Sequence, residues 1–117
     1  MNVKEFYEAI GANYQDVIAR LMKDELILRF LNKYKDDVNY DNLEKNVAAG
    51  DYKEAFLSVH TLKGLALNLG LSKLGAATGE LTEYLRAEGN DPEKVEELMV
   101  PIRECHKEVT ENLAKLS

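Results

Sequence analysis

The segment His60-Thr61-Leu62-Lys63-Gly64 carries the clearest chemistry in the chain. An imidazole has an ordinary pKa of ~6.5, which leaves an unprotonated ring nitrogen at neutral pH. Such a nitrogen can attack an activated phosphoryl group. Lys63 follows one turn later, where its ammonium can reach oxygens added to the ring as a mobile point charge. Gly64 stands four residues on and removes a side chain beside the imidazole. Glycine costs about 1 kcal/mol against alanine in a helix interior. Its place here needs a cause, and the close approach of a partner surface supplies one.

A helix must hold these residues, and its geometry sorts them. At about 100° per residue from Ala55, the residues Val59, Leu62, Ala66 and Leu69 fall within about 40° of one another's mean direction, a narrow core stripe. His60 falls at about 140° and Gly64 at about 180°, both away from the core. Lys63 lies at about 80°, Phe56 at about 100° and Leu67 at about 120°. Phe56, His60, Lys63, Gly64 and Leu67 therefore share one flank. Apolar Phe56 and Leu67 around a polar reacting group have the composition of an interface centre, and both are candidate partner-binding residues. Each feature alone is ordinary: a flank histidine is usually a surface residue, a helix lysine is usually solvated, and Phe56 and Leu67 could bury against a neighbouring helix. The costly glycine beside the histidine, on the same face, sets the combination apart.

Apolar residues recur every three to four positions almost throughout, and no segment alternates as a strand does. The pattern predicts an all-α chain. A short helix over Val3 to Ile10 is stopped by Gly11. A long helix from Tyr14 to Tyr34 opens with Asn13 and Asp16, and Lys35 to Tyr40 reads as a polar joint. A short helix from Asn42 to Ala49 opens on the capping pair Asp41 and Glu44, and Gly50 ends it. The central helix runs from Tyr52 to Leu69, introduced by Asp51 and Glu54 and ended by Gly70. The next runs from a Ser72 cap to Arg86, with Gly75 and Gly79 suited to close packing. Asp91-Pro92 opens the last, and Pro101 predicts a kink or break near Leu98 to Val100. The helices beginning near Tyr14, Tyr52, Ser72 and Pro92 are long and closely connected, which predicts an antiparallel four-helix bundle with additional short N-terminal and linking helices. One domain is expected over residues 1–117, with N-terminal helices in 1–40 and the core in 41–117.

The bulk properties narrow the function. A formal net charge of -6 without a basic block disfavours nucleic acid and anionic membranes as partners. The single Cys105 precludes an internal disulfide and a four-cysteine metal site. Cys105 and His106 are too few for zinc and diverge by about 100° on a helix, so no metal site is expected; Cys105 reads as core and His106 as boundary or surface. Asp36-Asp37 and Glu96-Glu97 read as solvated faces. The charged start and the lack of a run of ~20 apolar residues predict a cytoplasmic protein.

The central helix resembles the signature of histidine-containing phosphotransfer (HPt) domains of multistep two-component phosphorelays. That signature is a histidine, a variable residue, an aliphatic residue, Lys-Gly, a small-residue stretch and a glycine before the next helix. His60, Leu62, Lys63, Gly64, Ala66, Leu69, Gly70 and Leu74 occupy those places. The likeness extends over about Asp41 to Leu116 through helix order and the helix end at Arg86 to Gly89; the N-terminal helices match only in kind. Leu65 stands where the family commonly has a small residue, at about -80° and so at a buried edge, while Asn68 at about 220° faces outward.

The resemblance implies that His60 accepts a phosphoryl group through Nε2 from a receiver-domain aspartate and passes it to another receiver. Lys63 would stabilise the phosphorylated state and Gly64 would leave room for docking. It implies no cofactor, nucleotide or metal on this chain, since the receiver brings the acidic pocket and its Mg²⁺. The implied protein is a phosphocarrier without autonomous kinase activity, whose partners are response regulator receiver domains and a hybrid sensor kinase. The chain reads as either a free-standing phosphotransfer protein or a piece cut from a hybrid kinase, with the Met1 start favouring the first, and the full bundle reads as a monomer. The alternative is an adaptor that binds a receiver or kinase without transfer; the presence of both His60 and Lys63 counts against it. An exported binding protein finds no support in the first residues.

Overall fold

A computed structural model describes residues 1–116. Every regular element among them is a helix: α1 (Val3–Ala9), α2 (Tyr14–Leu21), α3 (Asp24–Lys35), α4 (Asn39–Ala48), α5 (Tyr52–Asn68), α6 (Ser72–Arg86) and α7 (Pro92–Leu113). The last four form an antiparallel bundle in which α5 lies between α4 and α6, and α7 packs on α6. α1 and α2 close the end where α5 stops, and α3 leans on α7.

The bundle differs from expectation in its first member. The helix expected over Tyr14 to Tyr34 is two helices. Met22 breaks it with a left-handed φ of 72° and stands 76% exposed. The wide apolar set in this stretch is two narrow stripes. Val17 is buried on α2, whereas Ile27, Leu31 and Tyr34 are buried on α3 at spacings of four and three. One straight rod cannot turn both stripes to their different neighbours. α4, expected only as a link, takes the vacant side of the bundle.

Three local expectations also need correction. α4 starts at Asn39, because the Asp37 carboxylate accepts from the Asn39 backbone N–H at 2.8 Å; Asp41 lies inside the first turn, where its charge suits the helix dipole. This takes Tyr40 out of the joint and into the helix. Ser72 is not the cap of α6: buried Leu71 precedes the helix, and the Ser72 hydroxyl donates to the Gly70 carbonyl at 3.4 Å. α7 runs through Pro101 without interruption. Leu98, Met99 and Ile102 are buried on either side of the proline, and their packing holds the helix across the missing donor.

The central helix follows the sequence closely. Ala55, Val59, Leu62, Ala66 and Leu69 are all buried. The Asp51 carboxylate accepts from the Glu54 N–H at 3.2 Å and starts α5. Gly70 ends it with φ 68°, its N–H bonded to the Leu67 carbonyl at 3.2 Å and that of Leu71 to the Ala66 carbonyl at 2.8 Å. Those two bonds are the paired closure that a left-handed residue makes possible at a helix C-terminus. A side chain at Gly70 would also strike the Cγ2 methyl of Val17.

Candidate functional site

The buried stripe of α5 sets the direction of everything else on it. His60 and Gly64 are exposed, Phe56 and Lys63 are half-buried, and Leu67 is 51% exposed. The five residues selected from the sequence therefore stand on one flank. Leu65 is half-buried and Asn68 exposed, as the helix geometry requires.

The His60 ring stacks on Phe56 with centroids 5.6 Å apart and planes 14° from parallel. Among the described residues no group hydrogen-bonds to its ring nitrogens, so orientation comes from stacking. Lys63 has no carboxylate in ion-pair range among those residues, and its stem crosses Gly79 of α6, Cε lying 3.8 Å from the Cβ position there. Leu67 folds over Gly75, its Cδ2 only 2.8 Å from where a Cβ would stand. Gly75 thus serves packing between α5 and α6. Gly64 does not: a Cβ there meets nothing within 4 Å.

Two further residues belong to this face. Leu57 is 55% exposed on the turn before His60. Its wheel position of about 200° marks an apolar side chain pointing outward, a signal the sequence carried. Arg86, at the end of α6, places its guanidinium carbon 5.1 Å from the Phe56 ring centroid. Periodicity gave no sign of that contact. Phe56, Leu57, Leu85 and Arg86 line an open groove of about 530 Å³.

The C-terminal end of the helix is held from outside the bundle. Arg20 of α2 donates to the carbonyls of Leu67 at 3.2 Å and Asn68 at 2.8 Å, and is itself braced by Asp16 at 2.9 Å. The Tyr7 hydroxyl donates to the Leu69 carbonyl at 2.6 Å. Burial raises the Tyr7 pKa, so the hydroxyl keeps the proton it donates.

Among the described residues, then, an exposed imidazole without a hydrogen-bond partner stands on a four-helix scaffold with an unpaired ammonium one turn on. The Hpt domain model matches residues 25–116. This chain belongs to the Hpt domain family. Comparisons with curated proteins and with solved structures find no match. Hpt domains perform histidine phosphotransfer in two-component phosphorelays and interact with response regulator receiver domains. The family match takes in α3 and so begins before the Asp41 expected from the sequence. No helix among the described residues is long and apolar enough to cross a membrane.

The Hpt bundle carries a second polar cluster that the sequence reading missed. His106, read as boundary or surface, is half-buried: it stacks on Tyr40 with centroids 3.6 Å apart and shares a 2.8 Å hydrogen bond, through Nδ1, with the Tyr34 hydroxyl. Burial lowers its pKa against the opposing pull of Asp41 and Glu44. One turn away Arg103 bonds Glu44 of α4 at 3.0 Å and Glu96 of α7 at 2.9 Å. Glu96 is therefore an ion-pair partner and not simply a solvated acid. Burial pushes the Glu44 carboxyl up, but hydrogen bonds from Arg103 and Tyr40 outweigh it and hold the group below the ordinary range. The cluster ties α3 and α4 to α7. Cys105 beside it is half-buried with a thiol pKa raised by burial, and among the described residues no three metal-ligating side chains stand together.

Proposed function

We propose that this Hpt domain carries phosphate on His60 between receiver domains. The Nε2 lone pair attacks the phosphorus of a receiver's aspartyl phosphate. The P–N bond forms as the P–O bond to the aspartate breaks, and the carboxylate leaves with the electron pair. Passage to a second receiver runs the same exchange in reverse. Lys63 offsets the charge of the phosphoryl oxygens, and Phe56 and Leu67 contact the docked receiver. Phosphoryl transfer depends on positioning and charge stabilisation, which suits a reacting group on a packed helix.

The observation that carries this reading is the empty space over Gly64 beside an exposed His60. Nothing within reach among the described residues accounts for the missing side chain, so the space serves an approaching surface. The receiver supplies the acidic pocket and Mg²⁺; this chain contributes no metal, nucleotide or kinase chemistry. We place it in the cytoplasm as a monomer, fed by a hybrid sensor kinase. Incubation with a phosphorylated receiver tests the proposal. Acid-labile, base-stable label should appear on the chain and vanish in His60→Gln. Binding of the receiver without label in the wild type would favour the adaptor reading.

A further inference from the structure

The phosphocarrier reading leaves one contact beside His60 without a role. The Arg86 guanidinium sits on Phe56, and Phe56 stacks on the imidazole. Glu83, one turn back on α6, braces the guanidinium at 3.4 Å. Phe56 is half-buried, whereas Arg86 and Glu83 are exposed. No hydrogen bond to another described residue fixes the His60 ring, and its stacking on the face of Phe56 orients it. That support is only as steady as the Phe56 ring, which has an open groove on its outer side.

We infer that Arg86 is a positioning residue for phosphotransfer, acting through Phe56. A cation within about 6 Å of an aromatic centroid is attracted to the ring face. Held by Glu83, the guanidinium restrains Phe56, and Phe56 in turn restrains the imidazole in one rotamer with its nitrogens toward solvent. The long α6 side chain thereby links the end of one helix to the reacting group on another. This role rests on His60 being the phosphoacceptor, and it assigns to Arg86 a task separate from docking. A docking residue changes how tightly a receiver is held. A positioning residue changes how fast the bound complex reacts, because reactive geometry is lost when the ring swings.

Two measurements on the full chain separate these roles. The first is the NMR shift of the His60 ring protons, which the Phe56 ring current displaces. In Arg86→Ala they should move toward the values of a free histidine, and in Arg86→Lys they should move less. The second is single-turnover transfer from a phosphorylated receiver at increasing carrier concentration. Arg86→Ala should slow the saturated rate about two- to fivefold, the range of one exposed cation–ring contact, with little change in the half-saturating concentration. In a Phe56→Leu background, Arg86→Ala should have no further effect on either measurement, since residues acting through one another are not additive.

Unmoved His60 signals in Arg86→Ala would overturn the inference. So would a change confined to the half-saturating concentration, or an Arg86→Ala effect of full size without Phe56. Absence of phosphohistidine on the wild type would instead refute the carrier reading, and the ring-proton arm would still decide whether Arg86 orients His60. Thermal melts of each variant identify any loss that comes from unfolding.

Discussion

The Arg20 guanidinium closes the end of the helix that carries His60 by donating to the Asn68 carbonyl at 2.8 Å. Its helix precedes the region shared with the Hpt family. The last carbonyls of a helix have no partner within it, and α2 supplies one. Arg20→Ala should cost about 1 kcal/mol, the usual net worth of such bonds. Amide exchange should rise in the turn from Leu67 to Leu71 and stay unchanged around His60. Chemical denaturation with residue-resolved exchange checks both; uniform protection would mean that solvent serves these carbonyls equally well.

Gly64 offers a sharper test, because stability and transfer should move in opposite directions. The Cβ of Gly64→Ala enters open space, so the variant gains helix propensity without a clash inside the chain. It should be more stable by up to about 1 kcal/mol. Transfer from a phosphorylated receiver should slow, since the new methyl occupies the approach to His60. Denaturation midpoints and transfer rates measured on the same samples decide the matter. A stabilised variant with undiminished transfer would leave the glycine without a docking role.

Lys63→Ala should leave the fold intact, as no carboxylate among the described residues depends on the ammonium. Phosphorylated His60 should lose its label faster, and transfer onto it should slow. Label half-life after removal of the receiver reports the faster loss, uptake of label from a phosphorylated receiver reports the slower transfer, and a melting curve reports the intact fold. A large drop in melting temperature would show that the stem crossing Gly79 is structural.

The sequence revealed the faces of α5 better than their surroundings, for physical reasons. The face of α5 was legible because Ala55, Val59, Leu62, Ala66 and Leu69 form a stripe narrow enough to fix the helix rotation. The division of α2 from α3 was not, because Met22 is apolar and its left-handed backbone has no glycine to announce it. Asp41 and Ser72 had the right chemistry for caps, but Asp37 bonds the first N–H of α4 from outside the helix and buried Leu71 takes the cap position of α6. Arg20 bonds backbone carbonyls 47 and 48 residues away, and backbone acceptors leave no mark in a sequence. Arg86 reaches Phe56 across two helices, and periodicity within one helix says nothing of its neighbour.

His106 should make stability depend on pH. Tyr34 of α3, Tyr40, Asp41 and Glu44 of α4, and Arg103 on its own helix surround it. Burial depresses its pKa in the fold below the ~6.5 of an unfolded chain. Above ~6.5 the ring is neutral in both states, and its contribution to stability is fully present. As pH falls, the unfolded chain takes up the proton first, so that contribution is lost until the folded pKa is passed. The loss from this group cannot exceed about 1.4 kcal/mol per pH unit. In the protonated ring both nitrogens are donors, so Nδ1 then donates to the Tyr34 hydroxyl. Urea denaturation at pH 7.5 and 5.5 should show the wild type losing more stability than His106→Gln, which has no proton to take up. Equal losses would mean that the ring is as readily protonated in the fold as outside it.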